Sequence, residues 1–468
     1  MLAKNPKSRF RGVKGKAAAR SCESLKILVC LASFVALFPV YIMAQSATTS
    51  TLAPTQGASY GTGPQTPLRF EGEAGHENEA VLSVGAAAFY DDNVQATNAI
   101  RLADEAVSLS SHLGIEKQTS NLSFTFDYLP FFLIYRQISQ LDRLNHSANT
   151  TLEYRLSPRF LLGLHDVFSY QNGVLPSITG TQIQSGPPPP TGLNQGIFSY
   201  TTRTLANVAG VDLTFAKSRR NSFTLSVGYD QRQYGNQTGA IESLYNGLGG
   251  NAGFQYQYRA TKHTTLGLLL LHRDTTYRGG TTFGSTARTQ IETGYLSLGS
   301  HLSPTVSVTV FGGPQYVRTL GAATSLTSLA GKWQGSGGAS LTKEARQTAL
   351  DFSFQRSVND GGGLYTSVID TNGSFGARRR LYGLWEGNVV VGVTRVDASL
   401  FQNANGTTNA VTAGVDFSRP IRERSTLHIS YDTTHQVSNG IIPIFSNFDR
   451  NQITIGFDFQ VKAVSLGQ

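Results

Sequence analysis

The chain has 468 residues, of which 40% are hydrophobic, 15% charged and 49 glycine, a composition too apolar and aromatic for a disordered protein. Its formal charge of +9 would point to nucleic acid or an anionic membrane if it were spread along the chain. It is not spread: Lys4, Lys7, Arg9, Arg11, Lys14, Lys16, Arg20 and Lys26 face one acid, Glu23, before Gln45, and the remainder is close to neutral.

This basic stretch runs into the apolar residues 27–44, and the small Ala44 precedes Gln45-Ser46. The pattern predicts a secretory signal peptide over 1–44 with a long basic lead. An uncleaved anchor is the alternative, because the run approaches the roughly 18 residues that begin to span a bilayer. Both cysteines (Cys22, Cys30) and both methionines fall in this segment, so the exported chain would have no disulfide, thiol chemistry or cysteine metal site. Residues 45–79, rich in Ser, Thr, Gly and Pro and then acidic, read as a flexible periplasmic leader.

The first strand is expected over 81–93, closing on Phe89-Tyr90-Asp91-Asp92-Asn93. From there the connections alternate between two classes. The short ones are mostly basic or carry proline: Glu116-Lys117-Gln118, Ser157-Pro158, Lys217-Ser218-Arg219-Arg220, Ala260-Thr261-Lys262-His263, Ser303-Pro304, Lys343-Glu344-Ala345-Arg346, Arg378-Arg379-Arg380 and Arg419-Pro420-Ile421-Arg422. The longer ones, such as 235–242, 278–285, 359–363, 403–409 and 438–447, are polar and rich in Gly and Asn. Eight short turns make eight hairpins, and one more strand at each end brings the count to about 18, with 16 as the alternative. Short turns at one end and long loops at the other are the signature of an outer-membrane barrel, whose turns face the periplasm. A sandwich or propeller has no reason to sort its loops by end.

The faces of the strands give a second, independent argument. Leu296, Leu298, Val306, Val308 and Val310 alternate with Ser297, Gly299, Ser307 and Thr309 across the Ser303-Pro304 corner. Phe223, Leu225, Val227 and Tyr229 alternate with Thr224, Ser226, Gly228 and Asp230, and Val411, Ala413, Val415 and Phe417 with Thr412, Gly414 and Asp416. A barrel in lipid needs an apolar outside and tolerates a polar, wet inside. Aromatics near strand ends (Tyr128, Tyr154, Tyr170, Phe215, Tyr256, Tyr258, Trp333, Trp385, Phe417, Phe459) suit interfacial girdles. The predicted fold is thus all-β: a transmembrane antiparallel barrel over 80–462, followed by a tail at 463–468.

The last strand sets Ile453, Ile455, Phe457, Phe459 and Val461 against Thr454, Gly456, Asp458 and Gln460. Here the chain resembles outer-membrane β-barrel proteins, departing from their commonest form because Lys462 and six more residues follow the strand. With the Phe89 to Asn93 motif, it is similar to the β-barrel porin families of exported bacterial proteins. The resemblance implies a pore in the bacterial outer membrane for passive diffusion or export of small polar solutes or polysaccharide. It also implies outer-membrane lipid, lipopolysaccharide and the barrel-assembly machinery as partners, and leaves the oligomeric state open, a homo-oligomer being one option. The alternative from another class is a closed structural or adhesive barrel whose surface loops bind partners.

Assigning each aliphatic series to lipid turns Asp127, Glu153, Asp212, Asp230, Asp351, Asp416, Asp432 and Asp458 inward, with Arg155, Arg232, Arg259 and Arg273. Eight acids against four arginines predict a cation-favouring lumen. Residues 266–271 are apolar on both faces, and there the assignment is insecure. The longest connection, 172–202, holds Gly186, Pro187, Pro188, Pro189 and Pro190. By resemblance to porins, this stiff third long loop narrows the lumen; a surface loop is the other reading.

Nothing points to catalysis. The histidines show no His-Glu-x-x-His, the Gly-x-Ser-x-Gly spacing at Gly57 to Gly61 falls in the aperiodic leader with no strand-to-helix context for an elbow, and Gly361-Gly362-Gly363 precedes no helix. His112, His301 and His428 fall on polar strand faces as solvated lumen residues. Arg378-Arg379-Arg380 lacks interleaved aromatics for nucleic acid and reads as a solvated turn. No cofactor or metal is expected.

Overall fold

A computed structural model describes residues 78–99, 101–172, 203–235, 245–279, 286–321, 331–361, 365–397, 406–439 and 447–466. The expected signal, nearly all of the leader, and the loop carrying Gly186 and Pro187 to Pro190 lie outside the described residues.

Eighteen long strands follow one another: β1 (Glu79–Asp91), β2 (Asp104–Gln118), β3 (Leu122–Tyr135), β4 (Arg143–Ser157), β5 (Phe160–Asn172) and β6 (Arg203–Ala216). Next come β7 (Asn221–Tyr234), β8 (Asn246–Arg259), β9 (Thr264–Arg278), β10 (Thr286–Ser303), β11 (Val306–Gly321) and β12 (Lys332–Ala345). The last six are β13 (Thr348–Gly361), β14 (Tyr365–Arg380), β15 (Glu386–Asp397), β16 (Thr407–Arg422), β17 (Ser425–Asn439) and β18 (Phe448–Gln460), with a two-residue β19 (Val464–Ser465). Each long strand pairs antiparallel with its predecessor, and the free edge of β1 pairs with β18 from Ser83–Gln460 to Asp91–Gln452. The sheet closes on itself, so neither the first strand nor the last is left with a free edge along this ladder.

All eight expected hairpins are present, and their turns lie together at one end of the barrel. Four of those turns fall later than the sequence pattern places them. Glu116 to Gln118 finish β2, Lys343 to Ala345 finish β12, Arg378 to Arg380 finish β14, and Arg419 to Arg422 finish β16, because the ladders continue to the last pair that can form, as at Arg380–Glu386. A charged residue at a strand end stays solvated at the rim, so its polarity does not stop the ladder. Pro420, which has no N–H to donate, sits beside a register shift. The residues expected as a free tail also pair: Val464 lies opposite Ala80 and Ser465 opposite Glu79, lengthening the join between the two chain ends.

Register turns the aliphatic series outward. Leu296 is 69% exposed and Val227 64%, which is the condition of a lipid-facing side chain seen without its lipid. Aromatics mark both limits of this surface. Phe160 stacks on Phe215 at 4.8 Å toward the short turns, and Trp333 lies against Tyr316 at 5.1 Å toward the long loops. Beyond that second limit the outward positions turn polar, with His272 beside Glu292 and His435 beside Asp449.

Strand β9, apolar on both faces, has a structural explanation. Leu266 and Leu270 are exposed on the outside, while Leu269 and Leu271 line a recess inside the barrel with Ile291, Tyr295 and Val358. Val358 belongs to the loop end of β13. The β12–β13 ladder stops at Gly337–Arg356, although β12 runs on to Lys332 and β13 to Gly361. Past that point β13 stays paired with β14, and β14 with β15 as far as Ile369–Asp397. The wall is thus split between β12 and β13 alone, and the loop ends of β13 and β14 curve inward with the β15 side of the sheet. Their outward-series residues Val358 and Ile369 are buried against Ile291 and Val317 of the inner wall. The inner leucines of β9 are therefore partly covered by protein, half-buried at the edge of this recess.

Candidate functional site: the inner wall

Register sets all twelve candidate lining residues on the face opposite the exposed aliphatics, but their surroundings divide them. Asp230 and Arg273 are spent on each other. Arg273 Nη2 donates to Asp230 Oδ2 at 2.8 Å, and both side chains are nearly fully buried. Asp432 acts electrostatically on the buried Arg450. Arg155 and Arg259 are exposed where β4 and β8 approach the short turns, and Arg232 is half-buried on β7.

The remaining acids form a band that the sequence reading saw only in part. On β16 to β18, Asp416 lies on the inner face near His428, whose Nε2 is 2.7 Å from Asp458 Oδ2. Across the join, His112 Nε2 is 2.8 Å from Asp127 Oδ1. On β4 to β6, His165 Nδ1 is 3.3 Å from Asp212 Oδ2, and Glu153 shares with Asp212 the neighbour Gly163. Three histidines are thus interleaved with five acids over half the circumference, and Asp351 on β13 stands apart from them. The paired side chains run from 17% exposed at His112 to 39% at Asp127, so the band is wet.

Glycines on the neighbouring strands make room for it. A Cβ on Gly85 would lie 2.3 Å from Asp458 Oδ1, and one on Gly210 would lie 2.3 Å from His165 Nε2. The charged side chains lie flat over bare backbone there instead of projecting into the lumen. His112 and His428 thus have acidic partners that their strand positions alone did not reveal. His165 was missed because no pattern within β5 separates it from its neighbours; Asp212 is 47 residues away in sequence and one strand away in space.

At the loop end the Phe89 to Asn93 motif acts across the join between the chain's first and last strands. Asp91 accepts from Arg450 Nε at 2.9 Å. Asp92 accepts from the backbone N and the Nδ2 of Asn451, both at 2.7 Å. Asn93 Nδ2 donates to the Asp449 carbonyl at 2.9 Å. Phe89 packs edge-on to Tyr135, whose hydroxyl accepts from Arg143.

A closed antiparallel sheet, apolar outside and lined inside by solvated charge, is the architecture of the outer-membrane porins. No protein-family model matches the chain, and no curated protein is similar to it. Solved structures that share the fold include OccK2 (OpdF) of Pseudomonas aeruginosa, at 12% identity and TM-score 0.44, covering 82% of this chain and 98% of that one. OccK11 (OpdR) of the same organism has 13% identity and TM-score 0.42, covering 82% and 96%. OccAB2 of Acinetobacter baumannii has 9% identity and TM-score 0.43, covering 82% and 98%. The assignment of architecture rests on the ladder and the faces described above.

Proposed function

We propose that this protein is a bacterial outer-membrane pore through which small polar solutes diffuse, with a preference for cations. The observation that carries the reading is the inner wall: a wet band of five acids and three histidines inside a closed cylinder whose outside is aliphatic. Acid rings favour cations because they raise the local concentration of positive charge at the narrow part of a path. The exposed arginines sit at the short-turn mouth, so the charge of the wall changes sign along the barrel axis.

Purified protein in a planar bilayer tests this directly. Discrete conductance steps are expected, and a barrel that inserts without conducting would return the closed, adhesive reading. That second reading draws on one feature, the inward hairpin of β13 and β14, which occupies part of the lumen. Loop 173–202, with its proline run, is kept in the proposal as a second narrowing element.

Export needs the basic N-terminus to be removed. The mature protein is expected to start at Gln45, because Ala44 is the small residue that ends the apolar run. Intact-mass measurement on exported protein checks it; a mass that still includes Lys4 to Ala44 would show an anchor instead.

A further inference from the structure

The inward hairpin leaves one strand edge of the wall without its ladder, and the same residues fit two arrangements. From Lys332 to Ser336, β12 pairs with β11 but not with β13. Continuing the register that sets Gly337 opposite Arg356 would place Ser336 opposite Ser357, Gly335 opposite Val358 and Gln334 opposite Asn359. In that arrangement Val358 and Ile369 would join Phe352, Phe354 and Phe375 on the outward series, and Ser357 and Asn359 would face the lumen. The alternation of β13 is thus correct for a wall strand along its whole length, including the part that has left the wall.

The present arrangement has its own partners. Val358 and Ile369 are 4% and 6% exposed in a cluster with Ile291 and Val317. The Val358 N–H donates to Gln315 Oε1 at 2.9 Å, and Gln315 Nε2 donates to Thr293 Oγ1 at 3.1 Å. Gln315 therefore supplies the acceptor that a β12 carbonyl would supply in a continuous wall. Beside this contact the recess under the hairpin is lined by Arg273, Gln355, Ser357 and Asn359.

The parting begins where a wall can part at low cost. Below Gly337 the outward residues are Ala339 and Leu341, and on the facing strand Phe354 and Phe352. At the parting itself the outward residues are Arg356, which is exposed, and Trp333, 68% exposed. Tryptophan and arginine belong at the headgroup level, so the freed edge of β12 runs up to the interface and ends there.

We propose that the loop ends of β13 and β14 form a gate. It rests inward, latched by Gln315 and the Ile291, Val317, Val358 and Ile369 cluster, and it opens the lumen by zipping back onto β12 in the register Gly335 to Val358. This rests on the pore reading above. Two packings of one segment that each satisfy its backbone and bury or suitably expose its apolar groups make a bistable element. The hinge is the stretch of β12 and β13 where their ladder ends.

Paired cysteines read the two states. Gly335→Cys with Val358→Cys can bridge only in the zipped register, because in the inward state Val358 packs against the inner wall while residue 335 points outward. A side chain at 335 meets nothing within 4 Å, so the substitution is accommodated. Val317→Cys with Val358→Cys reports the inward state. Both pairs are made with Cys22→Ser and Cys30→Ser so that no other thiol competes. Each pair is expected to cross-link on oxidation of the folded, membrane-inserted protein. The 335–358 bridge is expected to raise unit conductance and the 317–358 bridge to lower it, both reversed by reductant. Adding Gln315→Leu is expected to increase the yield of the 335–358 bridge. A folded barrel that forms the 317–358 bridge but never the 335–358 bridge would overturn the gate and leave the pore standing. A barrel that forms both bridges but shows no conductance in any state would overturn the pore reading and with it the gate's opening role.

Discussion

Arg450→Leu is expected to cost the barrel about 3 to 5 kcal/mol, the loss found when one member of a buried ion pair is removed and the other is left without its counter-charge. Asp91 is fully buried and Arg450 nearly so, and they join the first long strand to the last, where the ladder is the only closure of the cylinder. The effect should be read as a lower temperature for loss of the compact, heat-modifiable form in detergent gels. Asp91→Asn should act in the same direction. The pair Asp91→Leu with Arg450→Leu should recover part of the loss, since neither member of the pair is then left without the other, while the Asn93 N–H still loses its acceptor Asp91 Oδ1. If the single and double variants melt together, the pair is not what holds the join. Asp92 offers an internal comparison: it holds two hydrogen bonds from Asn451 and an ion pair with Arg101 at a partly exposed position, and Asp92→Ala should cost less than the buried pair, about 1.5 to 3 kcal/mol, the value of hydrogen bonds to a charged group.

Strand number, turn sorting and face assignment were legible in the sequence for one reason. In a closed sheet with lipid on one side and water on the other, every strand must repeat the same period-two choice. Eighteen repetitions make the pattern hard to mistake even though each strand is weak evidence. The ends of strands were less legible, because Arg380 or Arg422 looks the same to a pattern reader in a turn or in the last ladder pair. The join was half legible. Phe89 to Asn93 stood out as a motif, but its partners Asp449 to Asn451 lie more than 350 residues on, and only closure brings them together. The inward hairpin was not legible at all, since Val358 and Ile369 obey the lipid-facing period and leave it only in three dimensions. A hint was present in Leu269 and Leu271, whose inward apolar side chains need a cover. The candidate site followed the same division: register set every acid inward, yet Asp230 could not be seen to be neutralised by Arg273, 43 residues away, nor His165 to belong beside Asp212.

A reversal potential of cation-selective sign is expected across a salt gradient at pH 8. The sign follows from the groups in the band, where Asp127, Glu153, Asp212, Asp416 and Asp458 contribute negative charge. The histidines beside them are placed against acids: Asp127 at His112, Asp212 at His165 and Asp458 at His428. Changing Asp127, Asp212, Asp416 and Asp458 to Asn should abolish the preference, and changing the three histidines to Gln should leave it in place. Asp230→Asn should weaken the cation preference only slightly, in the same sense as a free acid's loss, because the Arg273 charge it uncovers lies in a nearly closed site. Salt should weaken the whole effect, since the Debye length falls from about 30 Å at 0.01 M to about 10 Å at 0.1 M, and an anion-selective sign at low salt and pH 8 would refute the charge assignment of the wall.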